Sequence, residues 1–235
     1  MWASTAESPV LLIGAAHVVD LEAALRRVLT PRPLDAVALE LDAERAEVLL
    51  SPTPASAAPR SGMPIFLRLW AMLQKRLGAE MGGGLAGAEM RVAATIARER
   101  QLSVLLIDDP IRETLRRLLG SLTVRERVGL VVGAIVGLVL PTRVVEEQLD
   151  RYNEAPQPYL EEVRKVYPSF ARVLLDERNE HMADRLLDAR KKGFGRVAAV
   201  VGDAHVPGLK DALQRRGVPV ETVTLGELVA APTGP

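Results

Sequence analysis

At 235 residues the chain is long enough to bury a substantial core in one domain, and 48% hydrophobic residues with few aromatics mark it as globular rather than disordered. Thirty basic residues balance thirty acidic ones, which excludes a global field suited to nucleic acid or a membrane surface. The absence of cysteine excludes disulfides, cysteine–zinc sites and thiol catalysis.

The start, MWASTAESPV, has neither a basic n-region nor an apolar h-region, so no signal peptide and a cytoplasmic setting are expected. An apolar run at 10–14 reads as the first strand, and LEAALRRVL (21–29) as the first helix. A second strand at 35–41 leads into helix 41–50, and SPTPASAAPRSG (51–62) reads as a tether. Helical patterns then cover 63–81 and 85–101, followed by a strand at 103–108. Several helices fill Ile111 to Lys192, broken by EAPQP (154–158) and Pro168. A strand at 196–202, a crossover helix at 208–217 ending on Gly217 and a strand at 218–224 complete the plan, with a disordered tail, APTGP. The strands are nearly continuous in apolar character, as in parallel sheets covered on both faces. The expected fold is therefore α/β: a central, mostly parallel sheet of about five strands with two long helical insertions (about 51–101 and 110–192). All of it belongs to a single domain, 1–235.

Within the second insertion, VGLVVGAIVGLVL (128–140) carries no charge. It is shorter than the ~20 residues a bilayer span needs, so a buried packing helix is expected rather than membrane contact. Thr123 and Glu126 form a capping-box pattern and Pro141 a stop. Gly129, Gly133 and Gly137 recur every fourth residue, giving a smooth face that suits a homodimer seam.

The polar residues gather at the strand ends. His17 follows strand one, Glu40 lies near the end of strand two, Asp108 ends strand three and His205 follows strand four. LLIGAAHVV (11–19) and VVGDAHVPG (200–208) both place Gly-x-x-His behind an apolar run, in a chain with only three histidines. The glycine lets the chain turn off the strand and leaves room beside the imidazole. Ligands of open parallel sheets bind outside the carboxyl ends, so a parallel arrangement brings all four residues to one rim. Two imidazoles and a carboxylate suit a divalent metal, and the same groups work without one, with a histidine as general base for water. Histidines that merely cap strand ends fit the spacing as well. There is no H-E-x-x-H and no G-x-S-x-G. GGGLAG (82–87) fits G-x-G-x-x-G but follows a helix, and reads as a flexible entry to the next one. His181 lies four residues after Glu177 and reads as a solvated pair with it.

Six blocks in order, LLIGAAHV, AVALELDAERAEVLL, GLAGAEMRVAATIARE, VLLIDDPIRETLRR, LLDERNEHMADRLL and VAAVVGDAHVPGLK, resemble TraB/PrgY proteins. These are similar to bacterial GumN-type proteins and to the TIKI metalloproteases, and the resemblance covers roughly 9–210. It implies an active site at His17, Glu40 and His205, and it adds Arg45, Glu89 and Arg178. By that resemblance His17, His205 and Glu40 hold a divalent ion, Mn or Zn, while Glu40 doubles as the base. Arg45 or Arg178 would meet an oxyanion or a peptide carboxylate, and Glu89 would orient a histidine. The implied function is a metal-assisted peptidase acting on a peptide or small-molecule substrate. The alternatives are a module that sequesters such a ligand and a metal-free esterase with His17 as base. Two departures stand out: Asp108-Asp109 replaces the family's Asp-Arg, and Asn179 replaces the last Asp of D-E-R-D. Many relatives carry C-terminal membrane helices, so this chain is expected to be the soluble domain standing alone.

Overall fold

The computed structural model describes residues 8–15, 21–50, 87–139 and 156–230. The expected helix at 63–81, the tether, the Gly-rich stretch before Gly87 and the tail lie outside them, as does His17. Five strands form one parallel sheet: β1 (Val10–Ala15), β2 (Ala36–Leu39), β3 (Ser103–Leu106), β4 (Val197–Gly202) and β5 (Val220–Val223). Their order across the sheet is β3-β2-β4-β1-β5. The fold is α/β, as the continuous apolar runs imply.

Strand alternation sorts the core into two layers. Leu11, Ile13, Val37, Leu39, Ala198 and Val200 face α1 (Glu22–Leu29), α2 (Ala43–Leu50) and α3 (Ala88–Glu99). Val10, Leu12, Ala36, Ala38, Ala199 and Val201 face the other way. Between β3 and β4 come α4 (Ile111–Ser121), α5 (Val124–Val139), α6 (Pro156–Val166) and the short α7 (Pro168–Ala171). A π-helical turn, Arg172–Asp176, then runs into α8 (Glu177–Lys191). After β4, a 3-10 turn (Asp203–His205) leads into α9 (Val206–Arg215), and α10 (Leu225–Ala230) follows β5. Met182, Ala183 and Leu186 of α8 and Leu209, Ala212 and Leu213 of α9 fill the second layer.

The helix after β2 and the helix after β4 therefore lie on opposite faces of two neighbouring strands. In open α/β sheets such a divergence marks the carboxyl edge where ligands usually bind. The π turn ends just before Arg178, which reaches this edge. One wide turn before Arg178, Val173 packs with Leu118 and Leu122 in a satellite cluster, while the next turns of α8 pack on the sheet. The extra residue per turn resets the helix phase between the two surroundings.

The capping box forms as expected: Glu126 Oε2 accepts from Thr123 N–H (2.9 Å) and Oγ1 (2.8 Å), and Glu126 N–H donates back to Thr123 Oγ1 (3.2 Å). Glu126 also accepts from Ser169 N–H (2.7 Å), tying the start of α5 to α7. Burial raises the Glu126 carboxyl's pKa, but these donors outweigh burial and bring it down to about 2. A folded value below the unfolded 4.5 means its stabilisation is full above 4.5 and disappears as pH falls through about 2. Glu126→Ala is expected to cost about 1–2 kcal/mol at neutral pH. The gap between the urea midpoints of variant and wild type should shrink below about pH 4.5 and close as pH falls through about 2. A constant gap at all pH values would contradict this role.

The apolar helix departs from expectation. Along the described part of α5, Val124, Val128 and Val132 are 77%, 57% and 52% exposed, so this face is not buried. The helix packs through Leu130 on the small satellite cluster instead of on the sheet. A Cβ at Gly129 would meet the Tyr167 ring at 3.1 Å, whereas one at Gly133 would meet nothing within 4 Å, so the tyrosine covers only the first of these positions. Helix α10 was not anticipated, although Thr224 and Glu227 form a second capping box (2.8 and 3.0 Å).

Candidate functional site

Glu40, one residue beyond β2, continues the alternation of Ala36 and Ala38 and points to the α8 side of the sheet. Its Oε2 accepts the Gly202 backbone N–H at 2.6 Å, locking it to the end of the neighbouring β4. Its Oε1 accepts from Arg178 Nη2 and lies 3.4 Å from His205 Nε2. Arg178 enters from α8 and is the hub. Nε donates to Asp108 Oδ1 (3.0 Å), Nη2 to Asp108 Oδ2 (2.6 Å), and Nη1 lies 3.1 Å from His205 Nε2. Arg45, from α2, donates to Asp108 through Nη2 and to Asp42 through Nε (2.8 Å). Asp42 in turn caps α2 through Arg45 N–H (2.8 Å) and receives Ile111 N–H (3.1 Å).

Within this hydrogen-bonded cluster, three carboxylates (Glu40, Asp42, Asp108) meet two guanidiniums (Arg45, Arg178) beside one imidazole. All are largely buried except Arg45, whose side chain is 30% exposed and reaches the solvent side. Burial pushes the Glu40 carboxyl up, but positive charge on His205, when the ring carries a proton, and on the Arg178 guanidinium brings it below its ordinary value. Asp108 is likewise raised by burial and drawn down to about 2 by Arg178 and Arg45. The buried Arg178 is held protonated by Asp108 and Glu40. Burial lowers the His205 pKa against the pull of Glu40, with Arg178 adding to the fall, so the ring is neutral at neutral pH.

The structure thus brings together Glu40, Arg45, Arg178, His205 and the strand-end Asp108. Glu89 is buried in the first turn of α3, a helix whose apolar residues belong to the first core layer. The glycine of the first Gly-x-x-His makes room for the Asp203 carboxylate. A Cβ at Gly14 would lie 2.1 Å from Oδ1 of Asp203, whose Oδ1 caps α10 through Leu225 N–H (2.8 Å). At Gly202 a Cβ would meet Glu40 at 3.4 Å and His205 at 3.7 Å.

His181 does not pair with Glu177. Its Nδ1 lies 3.0 Å from Asp109 Oδ1, while Glu177 binds Arg172 (2.5 Å) and Arg117 (3.4 Å). Asp109 also holds the Arg117 guanidinium, so the acid at this position keeps a cation beside the rim. Asn179, the departure from the last Asp of D-E-R-D, touches His205 directly: its Oδ1 is 2.8 Å from Nδ1. Its signal in the sequence is its place at the last position of the D-E-R-D block.

A divalent ion would draw on His17, His205 and Glu40. The 3.4 Å between His205 Nε2 and Glu40 Oε1 is about the edge of a tetrahedron with bonds of roughly 2.1 Å. Both atoms already face the Arg178 guanidinium, a fixed cation anchored on Asp108. Among the described residues no group of three metal-ligating side chains converges. The fit is therefore partial: beyond His205 and Glu40 it calls for His17, which lies outside the described residues, and for withdrawal of the guanidinium.

No solved structure matches the chain. It is 28% identical over 217 residues to the uncharacterized protein MJ1365 of Methanocaldococcus jannaschii, a match covering 89% of this chain and 54% of that protein. The chain thus spans about half the length of that relative. The profile of the TraB/PrgY/gumN family matches residues 1–222, and the chain belongs to that family.

Proposed function

We propose that the chain is a hydrolase of a peptide or a small amide or ester, in which a rim imidazole takes the proton of an attacking water. The observation that carries this reading is the charge imbalance of the buried cluster. With three carboxylates against two guanidiniums, the cluster is one positive charge short, and a neutral His205 sits against it. A proton arriving on that imidazole supplies the missing charge, so the surroundings favour the state that forms during the reaction. Arg178 shifts its Nη1 from the ring to the developing oxyanion, and Arg45, the solvent-facing member, meets the substrate carbonyl or carboxylate. His17, the second imidazole, lies outside the described residues.

A second reading keeps the same residues and adds a divalent ion, Mn or Zn, on His17, His205 and Glu40. The ligand-atom spacing favours it, and the ion would supply Lewis-acid activation of water. One experiment separates the readings. Purified protein is incubated with a peptide and ester panel, with and without exhaustive chelation, and the products are weighed by mass spectrometry. Fragments that form after chelation support the first reading, and fragments lost on chelation and restored by Mn or Zn support the second. A ligand retained intact would overturn both in favour of a sequestering module.

A further inference from the structure

We propose that Asn179 and Gly208 are a positioning pair that holds His205 in one tautomer and one ring orientation. Asn179 is 3% exposed, and its amide oxygen lies 2.8 Å from His205 Nδ1. An amide oxygen only accepts, so Nδ1 carries the hydrogen. On the opposite edge of the ring stands Arg178 Nη1, which only donates, 3.1 Å from Nε2. Two partners of opposite character therefore select the same state, with Nδ1 protonated and the Nε2 lone pair turned to Arg178 and Glu40.

Gly208 makes the amide's position possible. A Cβ there would lie 2.2 Å from Asn179 Nδ2 and 3.2 Å from its Cγ. Gly208 sits in the first turn of α9 and its φ is not positive. Backbone conformation does not call for glycine, which costs about 1 kcal/mol relative to alanine inside a helix. The space does. The Gly-x-x-His-x-x-Gly run thus places the ring and, three residues later, clears the room for the group that orients it. A neutral amide in this place also adds no further negative charge to a cluster that already has an excess.

The kinetic part of this inference rests on the hydrolase reading; the tautomer part does not. The test is a long-range imidazole 1H–15N spectrum of the full labelled chain at about pH 8, above the ordinary imidazole pKa. With three histidines, the His17→Gln and His181→Gln spectra assign the third. Wild type should show His205 with a protonated Nδ1 and a bare Nε2. Asn179→Asp should keep that pattern, whereas Asn179→Leu and Gly208→Ala should give mixed tautomers. Gly208→Ala leaves the amide in the chain and displaces it, so it reports on position even where Asn179→Leu does not fold. In turnover, Asn179→Leu should lose roughly tenfold to a hundredfold in kcat with KM little changed, and Asn179→Asp should recover part of it. A protonated Nε2 in wild type, or an unchanged pattern in folded Gly208→Ala, overturns the proposal. The expected tautomers in a protein that cleaves nothing support the pair and remove the hydrolase reading.

Discussion

Arg178→Met should unfold at a much lower urea concentration than wild type, with a loss of about 3–5 kcal/mol at neutral pH. The variant leaves Asp108 with Arg45 alone, and Glu40 without its cation, in surroundings that admit little water. Lysine should not restore the stability, because one ammonium cannot replace a planar fork that reaches Asp108, Glu40 and His205 together. Arg26→Met is the control: it removes an exposed pair with Glu99 and should cost less than about 1 kcal/mol. Asp108 adds a pH signature. Its pKa in the folded state is about 2, against an ordinary 3.8, so its contribution is full above 3.8 and is lost as pH falls through about 2. The gap between wild type and Arg178→Met should therefore be widest near neutrality and shrink across that window. Equal midpoints at pH 7 would mean that the buried cluster does not form as described.

Much of the fold was legible because strand burial leaves a direct trace. Val10–Ala15 and Val197–Gly202 are apolar at every position but glycine, and only a sheet covered on both faces accommodates that. Once the strands are parallel, Glu40, Asp108 and His205 must share an edge, since each follows its strand. Arg178 leaves no such trace. It lies in a helix far along the chain, and only the family resemblance singled it out. The pairing of His181 with Asp109 rather than Glu177 depends on how α8 lies against the loop after β3, which i,i+4 spacing does not encode. The π turn is equally silent, because RVLLD reads as ordinary helix. The exposed valines of α5 were misjudged because an uncharged run reports hydrophobicity but not what covers it.

The largest loss of activity should come from His205→Gln, which removes the imidazole and keeps an amide able to meet Asn179. Turnover is expected to fall by about 10²–10⁴, the usual contribution of a general base. Glu40→Gln is the more discriminating partner. The amide has one acceptor oxygen for the two N–H groups, of Gly202 and Arg178, that Glu40 accepts on separate oxygens, so one of them loses its partner, and the cluster's excess negative charge is gone. With nothing left to favour the imidazolium, kcat should drop while KM changes little. Adding Mn or Zn should leave that loss in place where a histidine alone moves the proton, and should reverse part of it where the carboxylate served as a metal ligand, since weakened ligation is offset by excess ion. Wild-type turnover in Glu40→Gln would mean that the charge imbalance plays no part in the chemistry, and the hydrolase reading would lose its footing.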